Sequence, residues 1–465
     1  MKSLPLAKVA SIAILFFLAT AVMQAQTFET IAQFDGANGE FPLYGSLIQG
    51  LDGNFWGTTE LGGAGVEQGT VFNTTSQGKI TVFYSFCPVP KGCTTGTVPY
   101  WGLVQDTAGN FFGTTYSGGT AGEGTLYKLN PQAELTTIYS FCNDCGGPGY
   151  PYGALIPVTS EDFVGSANFV IYDVTPSGRF SYTKLNRADY LFPLFQATDG
   201  SLWGRGLGKY QNAGSIAVIT PKGGYKTLYN FCSEPTCLDG SGAAFLMQGS
   251  DGNVYGETAS GGVHGDGVFF KFTASGQYSV VYNFCCVGGA IYNGNLIQGT
   301  DGNFYGTTAF GGVGYGTVFQ LTPAGQQSTL HTFCENGGLC ADGAYPLAGL
   351  VQGTDGNFYG TTSDLGPSLD QCPPSCGTVF KISMGLAPFV KANPNFGKNE
   401  AIVNILGNNV SGTTSVAFNG VSAKFKVVSD TYIKAQVPTG ATSGTITVTT
   451  PSGTLKSNVA FQVLP

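Results

Sequence analysis

The sequence predicts an all-β protein, and three observations carry that reading. A short stretch reading Asp-Gly-Asn, two aromatics, Gly and Thr recurs along most of the chain. Around each copy, aromatic and β-branched residues alternate with polar ones, the pattern of strands rather than helices. Glycine (71) and proline (23) are abundant while only 10% of the 465 residues are charged, against ~25% in an ordinary soluble domain. With 42% hydrophobic and 13% aromatic residues the chain can bury a large core, which excludes a disordered protein. A net charge of −8 argues against a nucleic-acid partner, whose phosphates need a basic surface.

The repeat supplies the architecture. Asp52-Gly53-Asn54-Phe55-Trp56-Gly57-Thr58 returns as Gly109-Asn110-Phe111-Phe112-Gly113-Thr114, and again around Asp251, Asp301 and Asp355. Weaker copies are Asp162-Phe163-Val164-Gly165 and Asp199-Gly200-Ser201-Leu202-Trp203-Gly204. The glycines after the aromatic slot stand at 57, 113, 165, 204, 256, 306 and 360. Seven units of about 50 residues, each with four strand-like runs, predict a seven-bladed β-propeller with one four-stranded sheet per blade. Asp-Gly-Asn supplies the turn between the first two runs and Thr322-Pro323-Ala324-Gly325 one between the last two. The last unit stops at its third strand, 377–382, while 27–34 matches the fourth-strand pattern. The N-terminal strand is therefore expected to close the last blade and remove the free edges.

Gly349-Leu350-Val351-Gln352-Gly353-Thr354-Asp355-Gly356-Asn357-Phe358-Tyr359-Gly360-Thr361-Thr362 resembles the signature of the GloVer (Gloeo–Verruco) extracellular tandem-repeat family. The resemblance spans about 27–384, with the third and fourth copies departing from the pattern. It implies an exported, propeller-like protein and carries over no catalytic residues. Beyond 387 the cysteines and the Asp-Gly-Asn turns stop. Alternating runs such as Ala401-Ile402-Val403-Asn404-Ile405 and Gly444-Thr445-Ile446-Thr447-Val448 resemble an IPT/TIG immunoglobulin-like domain, a small β-sandwich used for binding or spacing. The expected organisation is a signal peptide at 1–25, the propeller at 27–384, a linker at 385–395 and the Ig-like domain at 396–465.

Residues 1–25 carry Lys2 and Lys8, an apolar stretch from Val9 to Val22, and Gln24-Ala25-Gln26 as a cleavage zone. That stretch is short for a membrane span, and no later one is long enough, so no span is expected in the mature chain. Export to a secreted, extracellular or periplasmic location changes how the twelve cysteines read. Close pairs in an oxidising compartment predict local disulfides: Cys87 with Cys93, Cys142 with Cys145, Cys232 with Cys237, Cys334 with Cys340, and Cys372 with Cys376. Adjacent Cys285 and Cys286 are left open, because they could close only a strained ring.

Strand order sorts the connections onto two faces. Turns one–two and three–four are short and repeat closely; connections two–three and four–one are long, divergent and hold all the cysteine pairs. Variable loops on a rigid scaffold are where binding sites concentrate. Three arginines exist, all in the irregular units; Arg187 and Arg205 fall on the long-loop face with Lys209 nearby, and Arg179 on the other. A guanidinium fork suits a carboxylate or phosphate, so these form a candidate anion notch, with local ion pairing as the alternative. Glu257 stands where other copies have Thr, followed by His264 and Asp266, a candidate acid–base or metal group. Tyr100, Trp101, Tyr116, Tyr150, Tyr152, Tyr210 and Tyr315 are candidate residues for stacking on sugar rings. The repeated Phe-Pro or Tyr-Pro slot (Phe41-Pro42, Tyr150-Pro151, Phe192-Pro193, Tyr345-Pro346) instead points to packing. With two histidines, His264 and His331, no Ser-His-Asp or multi-histidine site emerges, and no metal or cofactor is expected.

These features read as a non-catalytic binding protein, secreted or at the cell surface, engaging an extracellular glycan or envelope component through the long-loop face. An extracellular polysaccharide hydrolase or lyase with two acids ~5–9.5 Å apart is the first alternative. A purely structural surface protein is the second. Oligomeric state and ligand identity are not encoded in any motif.

Overall fold

The computed structural model describes residues 26–64, 68–87, 92–158, 162–185, 191–197, 199–209, 213–234, 236–285, 296–337, 340–364 and 376–464. The expected signal segment lies outside the described residues. Among those described, regular structure is entirely β, and no helix is long and apolar enough to cross a membrane. Residues 27–383 form seven four-stranded antiparallel sheets. Six use four consecutive strands each: sheet 1 at 48–85, sheet 2 at 104–140, sheet 3 at 151–184, sheet 4 at 192–230, sheet 5 at 241–283 and sheet 6 at 297–332. Sheet 7 takes three strands from 351–383, and its fourth is Thr27–Gln33, antiparallel to Thr378–Ser383. The architecture is that of a β-propeller-like repeat protein.

The adjacent aromatics of each repeat point to opposite faces because side chains alternate along a strand. The first faces the preceding sheet and the second the following one. Phe55 stacks on Tyr359 of sheet 7 at 3.9 Å between ring centroids, while Trp56 meets Phe111 of sheet 2 at 4.3 Å. Phe112 meets Phe163 of sheet 3 at 4.9 Å, Tyr255 meets Phe304 of sheet 6 at 4.5 Å, and Tyr305 meets Phe358 of sheet 7 at 4.1 Å. Between sheets 3 and 4, aliphatic Val164, Leu191 and Ala217 replace the rings. The second strand, as in Phe55–Thr59, is consequently buried along its whole length, whereas the fourth, as in Ile80–Ser85, is half-buried or exposed.

A second device repeats at the inner edge. The first-strand glutamine reaches to the turn of the preceding sheet, where its Oε1 accepts a backbone N–H. Gln105 accepts from Leu51 (3.0 Å), Gln298 from Ser250 (2.8 Å), Gln352 from Thr300 (3.1 Å) and Gln49 from Thr354 (3.0 Å). The last of these joins sheet 1 to sheet 7. Its Nε2 also donates to Thr354 Oγ1 at 3.1 Å, in a buried position. The turn itself is tied by its aspartate: Asp355 accepts from the Asn357 amide (2.8 Å) and from the Tyr359 hydroxyl (2.7 Å). Gly356, at φ +91°, takes the left-handed position that a side chain resists.

Residues 391–464 form two four-stranded sheets packed over one core, with Val403, Ile405 and Ile433 from one and Val416, Phe418 and Val448 from the other, and a two-stranded parallel pair of Phe396–Lys398 with Gln462–Leu464. Lys391–Asn393, expected within the linker, is a strand of this unit: it pairs with the strand Ile402–Leu406, and Val390 and Ala392 enter the core. The connection is therefore shorter than expected, because alternate residues from 390 onward already have an apolar surface to cover. The unit sits against the short-turn face of the repeat sheets. Thr431 Oγ1 donates to Leu51 O (2.9 Å), Asn404 Nδ2 to Thr107 O (3.0 Å) and Phe389 N to Thr354 O (3.0 Å).

Replacing Gln49 by Ala strands the buried N–H and hydroxyl of Thr354, an expected loss of about 1–3 kcal/mol in urea unfolding. Gln298→Ala, at a more exposed clasp, should lose less in the same measurement.

Candidate functional site: the long-loop face

The long-loop face is held by three kinds of tie, each repeated. One is a proline latch. Pro99 lies against Gly69 of sheet 1, Pro346 against Gly316 of sheet 6 and Pro42 against Gly377 of sheet 7; a Cβ on these glycines would come within 2.6, 2.5 and 3.0 Å of the proline Cδ. The residue before each proline is forced into the left-handed region: Phe41 at φ 54°, Val98 at 61° and Tyr345 at 53°. Bulky residues avoid that region, and here two backbone bonds hold each one there. Tyr345 N–H donates to Tyr315 O (2.8 Å), and its carbonyl accepts from Ser363 N–H (3.1 Å). The packing predicted for this slot is thus done by the proline, which frees its neighbour to remain half-buried at the surface.

The second tie is covalent. Cys87–Cys93, Cys142–Cys145, Cys232–Cys237 and Cys334–Cys340 are disulfides. Cys376 is also disulfide-bonded; its expected partner Cys372 lies outside the described residues. Cys285 is a free thiol among the described residues, and Cys286 lies outside them. The third tie is an aspartate that caps the loop. Asp239 accepts from Cys232 N–H (3.0 Å) and the Tyr229 hydroxyl (2.7 Å). Asp342 does the same with Cys334 N–H (3.2 Å) and His331 Nε2 (2.9 Å), while the His331 ring stacks on Phe28 at 3.5 Å. Burial works against the charged form of Asp342, but His331 and the Cys334 N–H outweigh it and hold the carboxyl below its usual range. His331 is a structural residue joining the N-terminal strand to sheet 6.

On this braced surface an arc of aromatic rings crosses sheets 1 to 3. Tyr44 and Tyr100 are 6.0 Å apart between centroids, Tyr44 and Trp101 5.7 Å, Tyr100 and Tyr116 5.2 Å, and Tyr116 and Tyr150 5.5 Å. All five are half-buried, and Tyr152 beside them is 38% exposed. Tyr100 donates its hydroxyl to Glu60; burial first, then the Glu60 charge and this bond, push Tyr100 up to about 12. Burial raises the Glu60 carboxyl and the Tyr100 bond draws it back. Flat apolar faces edged by hydroxyls and one carboxylate can stack against a ring while hydrogen-bonding its rim.

This geometry unites Tyr100, Trp101, Tyr116 and Tyr150, all candidates for stacking. Tyr44 and Glu60 do not stand out in the sequence, although aligning the repeats on their X-Pro step reveals them. Tyr44 aligns with Trp101, where sheet 7 has Ala348, and Glu60 aligns with Tyr116 after the Thr-Thr pair.

The model of the Gloeobacter/Verrucomicrobia repeat family matches residues 15–170 and 152–380. The chain belongs to that family. No curated protein matches the sequence. Among solved structures, a fungal alcohol oxidase of the AA5 family, in complex with copper, is 13% identical over 92% of this chain and 98% of its own, with TM-score 0.51. A catalytically inactive virginiamycin B lyase from Staphylococcus aureus, with quinupristin, is 14% identical over 77% of this chain and 99% of its own, with TM-score 0.50. At these identities the likeness is one of fold alone.

The other candidates are dispersed. Arg187 and Tyr210 lie outside the described residues. Arg205 is in the second strand of sheet 4, its guanidinium 4.4 Å from the Phe192 ring centroid, directly across the strand pair. Lys209 follows in the loop, its backbone N–H bonded to Asn230 Oδ1 at 3.0 Å. Glu257 does not join His264 and Asp266. It is 1% exposed, inside the second strand of sheet 5, while His264 is exposed on the following loop and Asp266 is half-buried. Among the described residues no three His, Cys, Asp or Glu side chains converge as a metal site. The equivalent Thr58 and Thr307 donate to carbonyls of the next sheet, Trp101 O (3.1 Å) and Ala348 O (2.9 Å). Neither carboxyl oxygen of Glu257 has a partner among the described residues, and burial raises its pKa well above the usual value.

The sign follows from linkage. Above the ordinary carboxyl pKa the unfolded chain releases a proton that the folded chain keeps, so stability falls with rising pH by about 1.4 kcal/mol per unit until the folded group ionises. Restoring the repeat residue with Glu257→Thr should raise stability at pH 7, with the gain shrinking towards pH 4 in denaturation at a series of pH values.

Proposed function

We propose that the protein is a secreted or cell-surface binding protein that engages an extracellular glycan or envelope component through the aromatic arc of the long-loop face. In this reading the seven sheets at 27–384 are the blades of one closed propeller, with Thr27–Gln33 completing the last. The C-terminal unit is an Ig-like domain of the IPT/TIG kind. Continuity supports closure: each sheet shares a core with the next, and sheet 7 shares one with sheet 1 through Phe34, Phe55, Tyr359 and Val379. Four local disulfides favour an oxidising compartment, in keeping with export.

The observation that carries the functional reading is the arc Tyr44–Tyr100–Tyr116–Tyr150. Its rings are half-buried on a face pinned by disulfides and proline latches, so little ordering entropy is lost on binding. Aromatic side chains with polar tips are rigid, amphipathic anchors. The C-terminal unit occupies the opposite face over the turns of sheets 7, 1 and 2, whereas none of its described residues lies on the long-loop side of those sheets. Arg205, stacked on Phe192, stands apart from the arc and serves in this reading as an edge contact for acidic glycans.

A glycan array read together with a reducing-sugar assay tests this. Retention of a glycan without release of reducing ends is expected, and turnover would instead favour the hydrolase or lyase reading. Tyr100→Ala with Tyr116→Ala should weaken the retained glycan at least about tenfold. Unchanged binding in that double variant would overturn the assignment to the arc. Arg205→Ala should weaken acidic glycans only.

A further inference from the structure

A cavity of about 360 Å³ lies between the first strands of sheets 1 to 3 and the C-terminal unit, on the face opposite the aromatic arc. Ile48, Leu103, Val104, Pro157 and Val459 give it apolar walls, and no acidic residue lines it. Lys391 borders it. Val390 and Ala392 enter the core of the C-terminal unit, so alternation along the strand turns Lys391 and Asn393 the other way, towards the repeat sheets. Asn393 Nδ2 accordingly reaches Gln105 O, at 3.5 Å.

Among the described residues, the Lys391 amine has no ion pair. It keeps part of its surface because it faces the cavity, yet protein surrounds it and burial lowers its pKa. Asn458 lines the same wall, but its side-chain carbonyl oxygen is closed off from the cavity. A cation without a counter-charge on an apolar cavity is expensive to retain unless something completes it.

We infer that this cavity is a binding site for a small amphipathic carboxylate. The carboxylate would pair with Lys391, and the apolar body would fill the space between Leu103 and Val459. A charge-assisted bond to an amine with no competing acid is the strong kind, and an apolar setting strengthens it. The ligand would touch both the repeat sheets and the C-terminal unit, and would therefore tie one to the other. This inference is independent of the reading of the long-loop face.

The test uses N-acetylleucine, which carries the charge and the apolar body, and N-acetylleucinamide, which lacks only the charge. Both are titrated into the full mature chain by ligand-observed NMR. The acid should bind at least about tenfold more tightly than the amide to the wild type. Lys391→Met should abolish that difference while the amide still binds. Equal binding of acid and amide to the wild type, or no binding of either at millimolar concentration, would overturn the inference without any variant having to fold. A Lys391→Met protein that folds, as judged by circular dichroism, and still prefers the acid would overturn the role given to the lysine.

Discussion

A sheet that is apolar on both faces is stable only between two others, and the repeat region satisfies that demand by returning to its start. Phe55 meets Tyr359, and Gln49 bonds Thr354, with the ring geometry and inner-edge clasp that operate between consecutive repeats. The strand Thr27–Gln33 completes the arrangement by covering the edge of Thr378–Ser383. Phe28 then stacks on His331, which binds Asp342 beside the Cys334–Cys340 disulfide, so the closing strand is also anchored to sheet 6. The scarcity of charge follows, since the second and third strands have almost no solvated side for a charge to occupy.

The two faces serve different ends because their connections are built differently. Asp-Gly-Asn turns bind their own aromatic through Asp355 and Tyr359 and leave a low, regular surface on which the C-terminal unit rests. The long connections on the other face are individually braced by disulfides, capping aspartates and prolines seated on glycines. Local bracing lets loop sequences diverge without loosening the sheets. The aromatic arc is therefore a departure in three repeats from a scaffold that all of them share.

Much of this is legible from residue order. The spacing of the glycines sets the number of sheets, and the phase of the repeats puts 27–34 beside 377–382, where the closing strand pairs. The cysteine pairs at 87/93, 142/145, 232/237 and 334/340 are readable because each closes a loop of a few residues, a local event. Glu257 misleads for the opposite reason. His264 and Asp266, which follow it closely in sequence, are loop residues, but its own place is set by register: it follows Val254 and Tyr255 in a strand buried on both sides, where a carboxylate gains nothing from His264.

What the sequence determined by itself is whatever a repeat encodes in its own span: strand alternation, turn chemistry, disulfide loops and the order of the sheets. Each depends on residues a few positions apart, so periodicity exposes it. The tertiary structure alone decided which side chains meet across sheets and across units. Tyr44, Tyr100, Tyr116 and Tyr150 come from three repeats and form one arc only because the long connections converge on one face. Lys391 and Gln105 are far apart in the chain and border one cavity only because the C-terminal unit docks on the short-turn face. Such meetings depend on how faces pack, and no local pattern records them.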